Sequence, residues 1–137
     1  MKAEFFRRLA AAGCACVVLQ ANIAAAGKLD GAYATQADQC RKVFERKGSQ
    51  IVFTKTSDMY GSGFIVNDRQ IRGKMARCNV TKWTETDDTY NLLASCASDI
   101  IMDMTQFSLK MPDERRIVRL FPGMPGMEVT YYRCPAL

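Results

Sequence analysis

Arg77-Cys78-Asn79-Val80-Thr81-Lys82-Trp83-Thr84-Glu85-Thr86-Asp87-Asp88-Thr89-Tyr90-Asn91-Leu92-Leu93-Ala94-Ser95-Cys96 is two strand-like runs around an acidic turn, with a cysteine at each outer end. If the arms pair about Asp87, a constant sum of residue numbers sets Cys78 against Cys96, Val80 against Ala94, Lys82 against Leu92 and Thr84 against Tyr90. Directly opposed residues lie about 4.5 to 5.5 Å apart at Cα, which a disulfide spans without distortion. The stretch therefore reads as a stapled β-hairpin. On this register Trp83 faces away from the cysteines and, with the Asp87-Asp88 turn, is a candidate for contact with a partner.

Upstream, Lys2, Arg7 and Arg8 precede a short apolar run, Leu9 to Leu19, and then Ala24-Ala25-Ala26-Gly27. A basic start, an apolar core too short to span a bilayer and a small-residue cleavage site make residues 1–26 a secretory signal peptide, cut after Ala26. The remaining 27–137 is long enough for one small domain and too short for two. Losing Lys2, Arg7, Arg8 and Glu4 with the leader lowers the net charge from +5 to +3. So mild a bias is no signature of nucleic-acid binding, which concentrates basic residues on one face.

The mature chain keeps Cys40, Cys78, Cys96 and Cys134. An even count in a small exported domain favours two disulfides over free thiols, and no Cys-x-x-Cys spacing offers a zinc knuckle or redox motif. With Cys78 joined to Cys96 by the hairpin, Cys40 is left for Cys134, a nested pattern that ties the start of the domain to its end. The equal intervals 40 to 78 and 96 to 134 suggest a duplication with a bridge in each half. The two halves otherwise match at little beyond Gln50 with Gln106 and Arg77 with Arg133, so the nested pairing is the expectation.

Between these cysteines, Gln36 to Lys47 places Ala37, Cys40, Val43 and Phe44 on one helical face and charges on the other, with Gly48 as a stop; this predicts an N-terminal amphipathic helix. From Gln50 the signals are those of strands: Ile51 to Thr56, Phe64 to Val66, the turn Asn67-Asp68, Ile71 to Cys78 with Gly73 as a bulge, Phe107 to Met111, Ile117 to Phe121 and Met127 to Cys134. Tyr60-Gly-Ser-Gly-Phe64 lacks the lysine of a phosphate loop and reads as a hairpin turn. Asp99 to Met104 fits neither period. The fold expected is mainly β, an antiparallel meander of six or seven strands forming a rolled sheet or small barrel.

Gly31-x-Tyr33-Ala34 followed by Cys40, Leu92-x-Ala94-x-Cys96 and the ending Tyr132-Arg133-Cys134-Pro135 resemble the small four-cysteine exported proteins of alphaproteobacteria. That resemblance implies a nested-disulfide β domain and carries no catalytic residues. Gly31-x-Tyr33 with Arg133 in the last strand is also similar to lipocalin-like barrels, which implies that Arg133 stacks on the early aromatic.

No histidine is present, so no Ser-His or Cys-His relay and no histidine-held metal can form. Asp87-Asp88 and Asp113-Glu114 sit at turns, where Asp serves the local backbone. Asp99 and Asp103 could share a helical face, the basis for a lesser reading as a carboxylate-dependent enzyme. Met102-x-Met104, and Met124 with Met127, admit a lesser reading as a soft-metal, copper-binding site, against core filling for the first pair. Arg69, Arg72, Lys74 and Arg77 form a basic run that could meet an acidic partner, though alternation on a solvated strand explains it. Phe121-Pro-Gly-Met-Pro-Gly-Met127 is the best candidate for an exposed recognition loop.

These readings define a periplasmic or secreted protein that is no enzyme and holds no cofactor or metal. The leading function is a noncatalytic binding or inhibitor module of the cell envelope, with an envelope protein or glycan as partner. The alternative is a carrier for a small apolar ligand inside a lipocalin-like barrel.

Overall fold

The computed structural model describes residues 24–135 and 137. All but the last three positions of the expected signal peptide lie outside the described residues. A short helix α1 (Ala24–Leu29) leads into β1 (Gly31–Ala34), a 3-10 turn (Ala37–Gln39), one turn of helix α2 (Cys40–Val43) and the hairpin β2 (Phe44–Lys47) and β3 (Gln50–Phe53). After a second 3-10 turn (Ser57–Tyr60) the chain meanders through β4 (Gly63–Asn67), β5 (Gln70–Arg72), β6 (Ala76–Thr86), β7 (Thr89–Ser98), β8 (Met102–Asp113), β9 (Arg116–Leu120) and β10 (Glu128–Arg133).

Eight of these strands close an antiparallel barrel: β4 to β10 pair in sequence order, and β1 lies between β4 and β10. The mainly-β meander and both disulfides, Cys40–Cys134 and Cys78–Cys96, are as the sequence implies. The strand count is not: among the described residues ten strands form, eight in the barrel and two in the side hairpin. Gly73, expected as a bulge within one strand, sits in the turn between β5 and β6, where its N–H donates to the Ala76 carbonyl at 2.9 Å. Tyr60-Gly-Ser-Gly-Phe64 is likewise no hairpin turn. It leads from a 3-10 turn into β4, and Ser62 binds the backbone and hydroxyl of Thr35.

The expected helix over 36–47 is also corrected. Only its first two turns are helical; at Phe44 the backbone turns extended (φ −124°, ψ 151°), and Phe44–Lys47 pairs with Gln50–Phe53. Gly48, at φ 62°, makes the hairpin turn instead of ending a helix. Burial drives the switch. Ala32, Ala34, Val43, Phe44, Ile65 and the Cys40–Cys134 bridge form a second core on the outer wall of β1 and β4, and the extended hairpin brings Ile51 and Phe53 onto it as well.

The decisive hairpin, β6–β7, keeps the expected register only as far as Val80 opposite Ala94. Thr81 is then bulged, so Lys82 opposes Leu93, Trp83 opposes Leu92 and Glu85 opposes Tyr90. The cause is the turn. Asp87, at φ 56°, and Asp88 form a two-residue connection, which demands an odd sum of paired numbers where the cysteines demand an even one. One extra residue reconciles them and turns Trp83 inward. Trp83 therefore packs, partly buried, on the barrel core, edge-on to Tyr90 at 5.8 Å, and does not face away from the cysteines.

One end of the barrel is plugged. Leu29 is fully buried, and the Tyr33 hydroxyl donates to its carbonyl at 2.9 Å. Arg133, directly across from Tyr33, lays its guanidinium 5.3 Å from the ring centroid and donates to the Tyr33 oxygen at 2.6 Å and to the Lys28 carbonyl at 2.5 Å. The stacking inferred from Gly31-x-Tyr33 and Arg133 is thus present. Burial pushes the Tyr33 hydroxyl pKa up, with the Arg133 charge opposing.

Candidate functional site

Strand alternation decides what the barrel can hold. The turns β4–β5, β6–β7 and β8–β9 gather at the plugged end with the start of β1, and those of β5–β6, β7–β8 and β9–β10 gather at the other. The plugged half is filled by Leu29, Tyr33, Trp83, Tyr90, Leu92 and Ile117. Above it an aromatic floor crosses the lumen: Tyr33 stacks on Phe64 at 5.2 Å, and Phe64 meets Tyr131 edge-on at 4.8 Å.

Over this floor lies a cavity of about 320 Å³ that opens toward the far end. Its wall is contributed by seven strands, among them Ile71 of β5, Cys78 and Cys96 of the inner disulfide, Thr105 and Phe107 of β8, and Tyr131 of β10. The inner disulfide is thus part of the cavity wall as well as a staple. The polar contribution is small and asymmetric. Arg119 of β9 faces inward because Ile117, two residues earlier, is fully buried in the core. Its guanidinium lies 5.0 Å from the Phe107 ring centroid and 4.8 Å from that of Phe121, and among the described residues it makes no ion pair. Sequence reasoning passed over Arg119. Its signal was the alternation Ile117-x-Arg119-x-Phe121, which puts a cation on the same face as two hydrophobes.

The mouth has an apolar rim. Phe121-Pro-Gly-Met-Pro-Gly-Met127 stands there as two successive tight turns: Met124 N–H donates to Phe121 and Met127 N–H to Met124, each at 3.0 Å. Proline at the second position and glycine at the third, with Gly123 at φ 88° and Gly126 at φ 81°, are the signature of type II turns. Met124 and Met127 are exposed, as expected for this loop. Ile100, Met102 and Met104 of the neighbouring β7–β8 hairpin are exposed too, Ile100 to 92%, so Met102 and Met104 do not fill the core. The reason is parity: Thr105, Phe107 and Leu109 take the inward positions of β8, leaving Met102 and Met104 on its outer face.

Of the remaining candidates, Asp99 and Asp103 lie at the mouth end and Asp87 and Asp88 do not. Asp87 and Asp88 lie at the plugged end, where Asp88 is 3.6 Å from Lys110. Asp103 lies on strand β8 and accepts from the Thr105 hydroxyl at 2.8 Å, while Asp99 sits in the turn before it, so the two share no helical face. Among the described residues no group of three or more His, Cys, Asp or Glu gathers to hold a metal ion. No helix among them is long and apolar enough to cross a membrane.

No protein-family model, curated protein or solved structure matches the chain. The functional argument therefore rests on the barrel and its lumen.

Proposed function

We propose that the chain is an exported, noncatalytic binding protein, periplasmic or secreted, whose barrel carries one small, mostly apolar ligand. The observation that carries this reading is the cavity of about 320 Å³ above the Tyr33–Phe64–Tyr131 floor. Small-molecule sites run from about 300 to 1,000 Å³, with a few polar groups among apolar walls, and an eight-stranded barrel is just wide enough for one such ligand. The volume suits a single compact ligand and is small for a two-chain lipid. Arg119 at the wall favours a ligand with an anionic or strongly hydrogen-bonding end, which the arginine would meet while the rest lies on Phe64, Phe107 and Tyr131. Export is supported by the leader pattern in the sequence and by two disulfides, which persist outside the reducing cytoplasm.

The fluorescent apolar probe N-phenyl-1-naphthylamine tests the reading. It should brighten with the oxidised protein and fail to do so with Thr105→Trp, which fills the cavity from the β8 wall. Equal brightening by both proteins, or none with either, refutes a luminal site.

A second reading, a module that binds or inhibits an envelope protein, has its own support in the apolar rim of Ile100, Met102, Met124 and Met127. Capture of one envelope protein that is lost on Ile100→Glu, with probe binding intact, would favour it.

A further inference from the structure

The β2–β3 hairpin stands off the barrel wall and encloses a cleft of about 760 Å³ against the outer face of β4, β5 and β6. Three arginines line it, Arg46, Arg72 and Arg77, and no carboxylate does. Their placement follows from the strand registers. Arg72 of β5 and Arg77 of β6 are direct cross-strand partners, so two cations face each other on one ladder. Arg72 also donates to the Ile51 carbonyl at 2.9 Å, and Ile51 is the cross-strand partner of Arg46. Arg46 is held from the other side by a hydrogen bond from its Nε to the Leu137 carbonyl at 3.1 Å. Three guanidiniums are thereby gathered from two sheets, and among the described residues none of them pairs with an Asp or Glu side chain.

Like charges directly opposed across a ladder destabilise it, and alternation on a solvated strand does not explain a third arginine brought to the pair from a separate hairpin. Lys74, from the same basic run, is neutralised differently: it lies in the β5–β6 turn and pairs with Asp58. Among the described residues Arg72 and Arg77 have no such partner. A doubly charged oxyanion would relieve the repulsion between them, because each guanidinium presents a planar fork matched to phosphate oxygens. The cleft is larger than a bare phosphate needs. Its other polar lining, the amides of Gln50, Asn67, Gln70 and Asn79 and the hydroxyl of Ser49, supplies donors and acceptors of the kind that sugar hydroxyls require.

We propose that this cleft binds a phosphorylated saccharide, with Arg46, Arg72 and Arg77 on the phosphate and the amides on the sugar. The site lies on the outer wall, separate from the lumen, and stands whether or not the lumen carries a ligand. The saccharide could be free or anchored to a lipid.

Calorimetric titration of the oxidised protein with glucose 1,6-bisphosphate, at low salt, should show binding that weakens about tenfold or more in Arg77→Gln, the size of one lost charge-assisted contact. Glucose alone should not bind. Arg77→Gln removes one of two opposed cations, so the unliganded variant should melt at or above the wild-type temperature and lose the upward shift that the bisphosphate gives the wild type. Thr105→Trp should bind the bisphosphate normally, which separates this site from the luminal one. Vesicles containing lipid A should sediment the wild type, but not Arg77→Gln, if the saccharide is membrane-anchored; binding of the free sugar alone places it in solution. The proposal fails if the bisphosphate does not bind, if glucose binds as well, if Arg77→Gln binds equally, or if that variant melts well below the wild type.

Discussion

Gly63 is where the barrel wall and the outer core meet, and replacing it with alanine should be among the most damaging single changes in the chain. It opens β4, opposite Ala34 of β1. A Cβ there would lie 2.5 Å from the Tyr33 carbonyl oxygen and 2.8 Å from Phe44 Cζ. The first contact is backbone, held by the β1–β4 ladder; the second is a ring that is itself 1% exposed, so neither can retreat cheaply. Overpacking a filled site costs about 1 to 3 kcal/mol, and with two immovable neighbours the upper figure applies, about 3 kcal/mol. At about 4 to 8 °C per kcal/mol for a domain near this size, the melting temperature should fall by about 12 to 24 °C. Near-UV circular dichroism of the oxidised protein would read it. Phe44→Leu in the same chain relieves only the ring contact, so the double variant should recover less than half of the Gly63→Ala loss after correction for Phe44→Leu alone. A loss below about 1 kcal/mol, or full recovery in the double variant, would refute the claim that the Tyr33 carbonyl is fixed.

Further outcomes can be measured. Because burial raises the Tyr33 pKa in the folded state, the stability it contributes is complete below the ordinary tyrosine value near 10 and is lost as pH rises through the higher folded value; urea midpoints should fall above about pH 10, less steeply in Tyr33→Phe. On the loop-entropy relation the 18-residue span of Cys78–Cys96 is worth about 3 kcal/mol and the 94-residue span of Cys40–Cys134 about 4.7, so double serine replacement of the outer pair should lower the denaturation midpoint more. Arg119→Leu should leave the barrel intact by far-UV dichroism and weaken anionic luminal probes more than neutral ones. Trp83, the sole tryptophan, should emit as a partly buried indole and resist quenching by iodide; free quenching would mean that the register beyond Thr81 is wrong.

What the sequence made legible was carried by local spacing. Cys78 and Cys96 oppose each other because their sum fits an antiparallel ladder, and Pro122-Gly123 and Pro125-Gly126 dictate their turns almost alone. The outer bridge followed by elimination. What was hidden depended on competition between local and distant contacts. Phe44 is buried either on a helix or on a strand, and only the distant partners Ile51 and Phe53 decide for the strand. Trp83 faces inward because one bulged residue, Thr81, resets the alternation, a change without a signature of its own. The lumen was illegible for a simpler reason: its wall draws one to three residues from each of seven strands scattered over the chain, and none is unusual where it stands. The arginine cleft combined both problems, since Arg72 and Arg77 were visible as a basic run while Arg46 sat in a segment that reads as helix.

The place of β1 between β4 and β10 sets an order of events for the newly made chain. The first strand to be synthesised is among the last that can be seated, because one of its neighbours, β10, is the last strand of the barrel in sequence order. A nascent chain can form the β6–β7 hairpin and its bridge early, from residues close in sequence, but Tyr33 waits for Arg133, and Cys40 waits for Cys134. Until then β1 and the growing meander present unpaired edges. Closure waits for the last strand, so a chain delivered unfolded across a membrane would arrive with its barrel still open, and any luminal ligand would be enclosed only where folding finishes.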